Sequence, residues 1–130
     1  VIGHYYGTRQ YLLEYPDGVY GDKGIFASTG DLLNFDQALF NGVLLKDSTL
    51  LLATTQKHER LHDWDNYGYG WRVDVSKNQP KLVYHSGWWK GFKTKFIRIG
   101  ENEGTIVILS NRLKAANVSK STLVGLLLDK

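Results

Sequence analysis

Two short runs hold the residue types from which hydrolytic sites are built. The first is His58-Glu59-Arg60-Leu61-His62. On a helix, His-Glu-x-x-His puts two imidazoles on one face, where they ligate zinc while the glutamate activates the metal's water. Asp63, Asp65 or His85 would offer a third ligand if a helix beginning near Ser48 ran on through residue 62. The flanks weigh against this zinc-protease reading. Thr54-Thr55-Gln56-Lys57 before it and Asp63-Trp64-Asp65-Asn66 after it are polar and turn-like, as at a solvated helix end. The second run is His85-Ser86-Gly87, followed by Trp88 and Trp89. Taken alone, such a tripeptide is a strand end turning into a loop. A third chemistry is stacking, because Trp64, Trp71, Trp88 and Trp89 with many tyrosines could form a non-catalytic sugar- or peptide-binding surface. The competing expectation is that most of these aromatics fill a core.

The elements that must position these residues follow from periodicity and punctuation. Residues 1–24 are rich in Tyr and Gly, and Pro16-Asp17-Gly18 signals a turn. Ser28 opens a helix, with Asp31 completing a capping box. Leu32, Phe35 and Leu39 fall on one face of that helix, and Asn41-Gly42 stops it. A shorter helix begins at Asp47 or Ser48 and runs through Leu50, Leu51 and Leu52. Strands are predicted over Tyr67 to Val75, Lys81 to His85 and Phe92 to Ile99. A polar turn over 100–104 leads to Thr105 to Ser110, whose apolar run is that of a strand covered on both faces. A last helix spans Ala115 to Leu128, apolar at Val118, Leu123, Leu126 and Leu127. The fold class is α+β: an antiparallel sheet with flanking helices.

Bulk properties set limits. The 130 residues have room for one domain, with 42% hydrophobic and 22% charged residues, an ordinary globular balance. A net charge of +3 without a basic run or an arginine–aromatic stripe argues against nucleic acid as a partner. The apolar runs are too short to span a membrane. Without cysteine, disulfides and thiolate metal sites are excluded. Without methionine, Val1 is not expected to be a translation start, and the chain is expected to derive from a longer one.

Three stretches, in this order, resemble the final third of the serine β-lactamase and penicillin-binding protein superfamily. Gly21 to Leu32 is similar to that family's glycine-rich approach to a helix, with Ser28-Thr29 before Asp31-Leu32. Tyr67-Gly68-Tyr69-Gly70-Trp71 resembles its Tyr-Gly-x-Gly-Trp strand. His85-Ser86-Gly87, with Gly91-Phe92 and Leu109-Ser110-Asn111 behind it, resembles its third active-site motif, Lys-Thr-Gly or His-Ser/Thr-Gly, in the class C-like form. The order and spacing carry the match, which covers nearly the whole chain from residue 18.

The resemblance implies a role for each motif residue. Acyl transfer passes through an oxyanion that preorganised N–H groups stabilise. The N–H of Trp88 would supply one such donor, and the nucleophile's own N–H the other. Gly87 would let a substrate approach the backbone. Ser86 would hydrogen-bond the substrate's carboxylate or carbonyl. His85, where many relatives have Lys, would act near the nucleophile's proton path. Trp88 and Trp89 replace smaller residues and would narrow the cleft or wall it, with Trp89 contacting substrate. The substrate is then a small molecule or peptide with an amide, ester or lactam bond, attacked through an acyl-serine, and no cofactor is implied.

Two elements of that pattern are missing. No serine has a lysine three positions later, so Ser-x-x-Lys is not in this chain. Ser76-Lys77-Asn78 fits the letters of the second motif, but falls in a polar turn. The chain is therefore expected to be a single partial domain over 1–130, inactive alone, whose nucleophile lies in a preceding N-terminal segment of the same protein. The strand at Thr105 to Ser110 would pair with that segment. Its open edge would otherwise invite a second copy to form a homo-oligomer. A periplasmic or secreted location also follows from the resemblance.

Overall fold

The computed structural model describes residues 1–130 except 13, 19–20, 22, 58–65, 76, 78, 101–103, 115–116 and 129–130, and except the side chain of residue 16. After a 3₁₀ turn at Tyr15–Gly18 come α1 (Thr29–Phe40), α2 (Asp47–Ala53), β1 (Arg72–Asp74), β2 (Leu82–Trp89), β3 (Phe92–Ile99), β4 (Gly104–Ser110) and α3 (Lys120–Leu128). The four strands form one antiparallel sheet in the order β1-β2-β3-β4. The architecture is the expected α+β.

Local chemistry sets the start of α1. Ser28 is its N-cap, its hydroxyl accepting from the Asp31 N–H while the Asp31 carboxylate accepts from the Ser28 N–H. The Ser28 N–H first, and then the Ser28 hydroxyl, donate to the Asp31 carboxylate and hold it below its ordinary range. The helix ends at Asn41, and Gly42 adopts a positive φ of 73°. Its inward stripe differs from the expectation. Phe35 is 41% exposed, whereas Asp36 is buried with Leu39. Asp36 Oδ2 accepts from Arg98 Nη1 at 2.5 Å and from Thr105 Oγ1 at 2.9 Å. A charged pair therefore ties α1 to the sheet, where an apolar contact was predicted.

Pairing register sorts the sheet into two faces. On one face Leu82, Ile97 and Ile99 pack with Val124, flanked by Tyr84, Ile106, Leu123 and Leu127, so α3 lies there. The other face carries Val73, Val83 and Phe96 and meets α1 through Arg98 and Thr105. Lys120 of α3 reaches Asp74 of β1 and lies over the Tyr84 ring.

Four further expectations are corrected. The strand predicted over Tyr67 to Val75 shrinks to three residues. Gly70 turns at φ 75°, and a side chain at Gly68 would collide with the Ala53 carbonyl. β2 runs longer than predicted, through His85-Ser86-Gly87 to Trp89, so the tripeptide lies inside a strand and not at its end. β4 is half-buried at every residue rather than covered on both faces, and it stands at the end of the sheet. The last helix begins at Lys120, and Val118 precedes it; Leu126 is 75% exposed, and Val124 takes the inward place. Among the described residues no helix is long and apolar enough to cross a membrane.

Candidate active site

The β2–β3 hairpin decides how the motif is presented. Its turn is Lys90-Gly91, both with positive φ, 39° and 85°. Two such residues make the tight turn whose twist suits a hairpin. It makes Trp89 and Phe92 the closing hydrogen-bonded pair. Bonded and non-bonded pairs then alternate along the ladder, directing the backbone of Gly87 and His85 toward β3. The backbone of Ser86 and Trp88 is directed the other way. The far end of the ladder keeps this phase, because the Gly100 N–H donates to the Lys81 carbonyl at 2.8 Å. On that outer side β1 pairs with β2 only from Leu82 to Tyr84. The Trp88 N–H therefore points from a free strand edge among the described residues. A backbone donor so placed can receive charge developing on a substrate oxygen.

Side chains alternate across the strand. Those of Ser86 and Trp88 lie on the α3 face, beside a cavity of about 310 Å³ whose lining includes Lys93, Lys95, Asn117 and Ser119. Lys93 stands directly opposite Trp88, and Lys95 opposite Ser86. Lys93 Nζ donates to Asn117 Oδ1. Among the described residues no carboxylate lines the cavity, so it favours an anionic group.

His85, Gly87 and Trp89 share the other face. His85 is exposed, with its Nε2 3.3 Å from the Tyr67 hydroxyl. A Cβ at Gly87 would come 2.5 Å from Thr94 Oγ1, so a side chain here would make Thr94 rotate or the two strands part. Trp89 Nε1 donates to Asp17 Oδ1 at 2.6 Å, and Lys23 Nζ lies 4.8 Å above its ring. Trp88 and Trp89 thus lie on opposite faces of β2 and flank its free edge from two sides. Trp88 also lies across the sheet from Trp71, which rests on Phe96 at 5.4 Å.

Asp17 is the hub of a clamp on the hairpin turn. Lys90 Nζ reaches Asp17 Oδ2 at 2.9 Å, Glu14 Oε2 at 3.1 Å and the Leu12 carbonyl at 3.0 Å. The Asp17 carboxyl is lowered from 3.8 to about 2 by the Lys90 ammonium first, then by the Glu14 N–H and the Trp89 indole. For Lys90 the largest single influence is loss of water, which favours the neutral amine. The bonds to Asp17 and Glu14 together outweigh it and raise the ammonium's pKa. This clamp, Lys93 and Lys95 were not singled out from sequence. Reading Lys90-Gly91 as a two-residue turn would have placed Lys95 opposite Ser86 and Lys93 opposite Trp88.

The zinc motif His58, Glu59 and His62 lies outside the described residues, as do Asp63, Trp64 and Asp65. The helix that would have carried it, α2, ends at Ala53. Among the described residues no group of three His, Cys, Asp or Glu side chains is placed to hold a metal ion.

The family model described as Beta-lactamase matches residues 3–128. The chain is 33% identical over 98 residues to Penicillin-binding protein 4* of Bacillus subtilis (strain 168), covering 75% of this chain and 22% of that protein. It is 32% identical over 106 residues to the Escherichia coli (strain K12) protein named "Putative D-alanyl-D-alanine carboxypeptidase", covering 73% and 24%. It thus spans about a quarter of the length of these curated relatives. No solved structure matches the chain.

Proposed function

The chain belongs to the Beta-lactamase family, and we propose that it supplies one wall of an acyl-transfer site in a longer serine hydrolase. The single observation that carries this reading is the Trp88 N–H presented from the open edge of β2. There it would hold the oxyanion of the tetrahedral intermediate. The nucleophile would come from outside this chain, since no Ser-x-x-Lys occurs in it.

The cavity beside Ser86 supports the assignment of Ser86 to the substrate's carboxylate or carbonyl, because Lys93 and Lys95 add positive charge on the same face. His85, on the opposite face, would take part in proton transfer at the nucleophile. Gly87 would admit the substrate to the strand, and Trp89 would bound it on the His85 side. The substrate class is an amide, ester or lactam with an anionic group. The outer side of β4, which pairs with no strand among the described residues, supports pairing with an upstream segment of the same protein, or with a second copy where that segment is absent. The whole protein would then act in the periplasm or outside the cell.

A fluorescent penicillin tests this reading, applied to a protein carrying this chain with its upstream sequence and to the chain alone. Covalent label on the longer protein only is the expected outcome. Label on the chain alone overturns the external nucleophile, and label on neither overturns the penicillin-reactive acyl-serine.

A further inference from the structure

Tyr67 is held from two sides and leaves its hydroxyl directed at His85. Its ring carries the Arg72 guanidinium at 4.5 Å from the centroid. Tyr67 and Arg72 are also bridge partners through the backbone. Arg72 Nη1 donates to Asn66 Oδ1 at 3.1 Å, and the fully buried Asn66 donates from Nδ2 to the Tyr84 hydroxyl at 2.9 Å. The Asn66 carbonyl accepts from the Val73 N–H at 2.7 Å. This chain of bonds roots Tyr67 in β1 and β2. Its hydroxyl oxygen then lies 3.3 Å from His85 Nε2, with the two rings meeting edge to face at 6.1 Å.

We propose that Tyr67 is a positioning residue, its hydroxyl donating to His85 Nε2 and so holding the neutral imidazole with its proton on Nδ1. A phenol both donates and accepts, but its oxygen lone pair is delocalised into the ring, so it donates better. The guanidinium over the ring draws on the same π density and strengthens that bias. A neutral imidazole has one donor and one acceptor nitrogen, and the bond made by one fixes the other. With Nε2 occupied as acceptor, Nδ1–H is the group His85 offers to a nucleophile or substrate. That consequence rests on the proposed site; the tautomer itself does not.

The test is long-range proton–nitrogen NMR on the full chain labelled with ¹⁵N-histidine. It is run at about pH 9, above the ordinary imidazole range near 6.5. The expected wild-type pattern for His85 is Nδ1–H. Tyr67→Phe keeps the ring and the Arg72 contact but removes the donor, so the Nδ1–H to Nε2–H ratio should fall about fivefold, the weight of one hydrogen bond. An Nε2–H pattern in the wild type, or a ratio unchanged by Tyr67→Phe, overturns the assignment. The wild-type reading stands whether or not the variant folds. Neither reading depends on acyl transfer, so failure here and failure of penicillin labelling are distinguishable.

Discussion

The Trp89 indole donates to the Asp17 carboxylate at 2.6 Å, joining the tip of the β2–β3 hairpin to a turn 72 residues earlier. The same carboxylate accepts from Lys90, whose backbone holds φ at 39°, a conformation unusual for a side-chain-bearing residue. The left-handed turn is thus anchored by a carboxylate from outside the hairpin.

Acid should release this clamp later than an ordinary aspartate would allow. The Asp17 carboxyl titrates at about 2 when folded and near 3.8 when free. A depressed carboxyl contributes its full stabilisation above 3.8 and loses it as pH falls through about 2. The Trp89 indole proton resonance should therefore hold its position from neutral pH to below 3.8 and move only on approach to 2. A midpoint near 3.8 would falsify the clamp. Asp17→Ala should give the released resonance at every pH.

Asp36 and Phe35 make a paired prediction. Removing one partner of a buried ion pair strands the other, so Asp36→Ala should cost about 3 kcal/mol in urea unfolding. The exposed Phe35→Ala should cost under about 1 kcal/mol. Replacing both partners, Asp36→Leu with Arg98→Met, should restore much of the loss, because the Arg98 charge no longer needs a partner. Equal costs at Asp36 and Phe35 would return the inward stripe to the one read from periodicity.

What was legible in the sequence was what is decided locally. Ser28 and Asp31 are three residues apart, and their two bonds need nothing else, so the helix start was readable. The limits of β3 were readable because its alternation ends in glycine turns. Asp36 was not, since its burial depends on Arg98 and Thr105, more than 60 residues away. The site divided in the same manner. His85-Ser86-Gly87 was found as a motif, but only the hairpin register puts Ser86 and His85 on opposite faces. The partnership of Tyr67 with His85 spans 18 residues and crosses from an isolated bridge to a strand, with no spacing rule to announce it.

Trp88 and Trp89 should separate on substitution. Trp88 is 63% exposed beside the Lys93–Lys95 cavity, so Trp88→Ala should change stability by under about 1 kcal/mol. If the cavity takes the substrate, the same change should slow penicillin labelling of the longer protein. Trp89→Ala removes the Asp17 donor and the surface under Lys23, and should lower the unfolding midpoint clearly more. Similar losses for both would mean that they share one environment, against their opposite faces.

Gly87 distinguishes a structural requirement from a catalytic one. A methyl group at this position would meet Thr94 Oγ1 at 2.5 Å, and strands β2 and β3 would have to separate or Thr94 to rotate. Overpacking of this kind typically costs about 1–3 kcal/mol, so Gly87→Ala should lower the unfolding free energy in urea by that amount. Thr94→Ala removes the hydroxyl that is struck, and the double variant should recover most of the stability; Thr94 Cβ lies at 3.8 Å, an ordinary contact. If Gly87 also admits a substrate to the edge of β2, the double variant of the longer protein should fold yet label slowly with penicillin. Stability and labelling recovering together would leave Thr94 as the whole reason for this glycine.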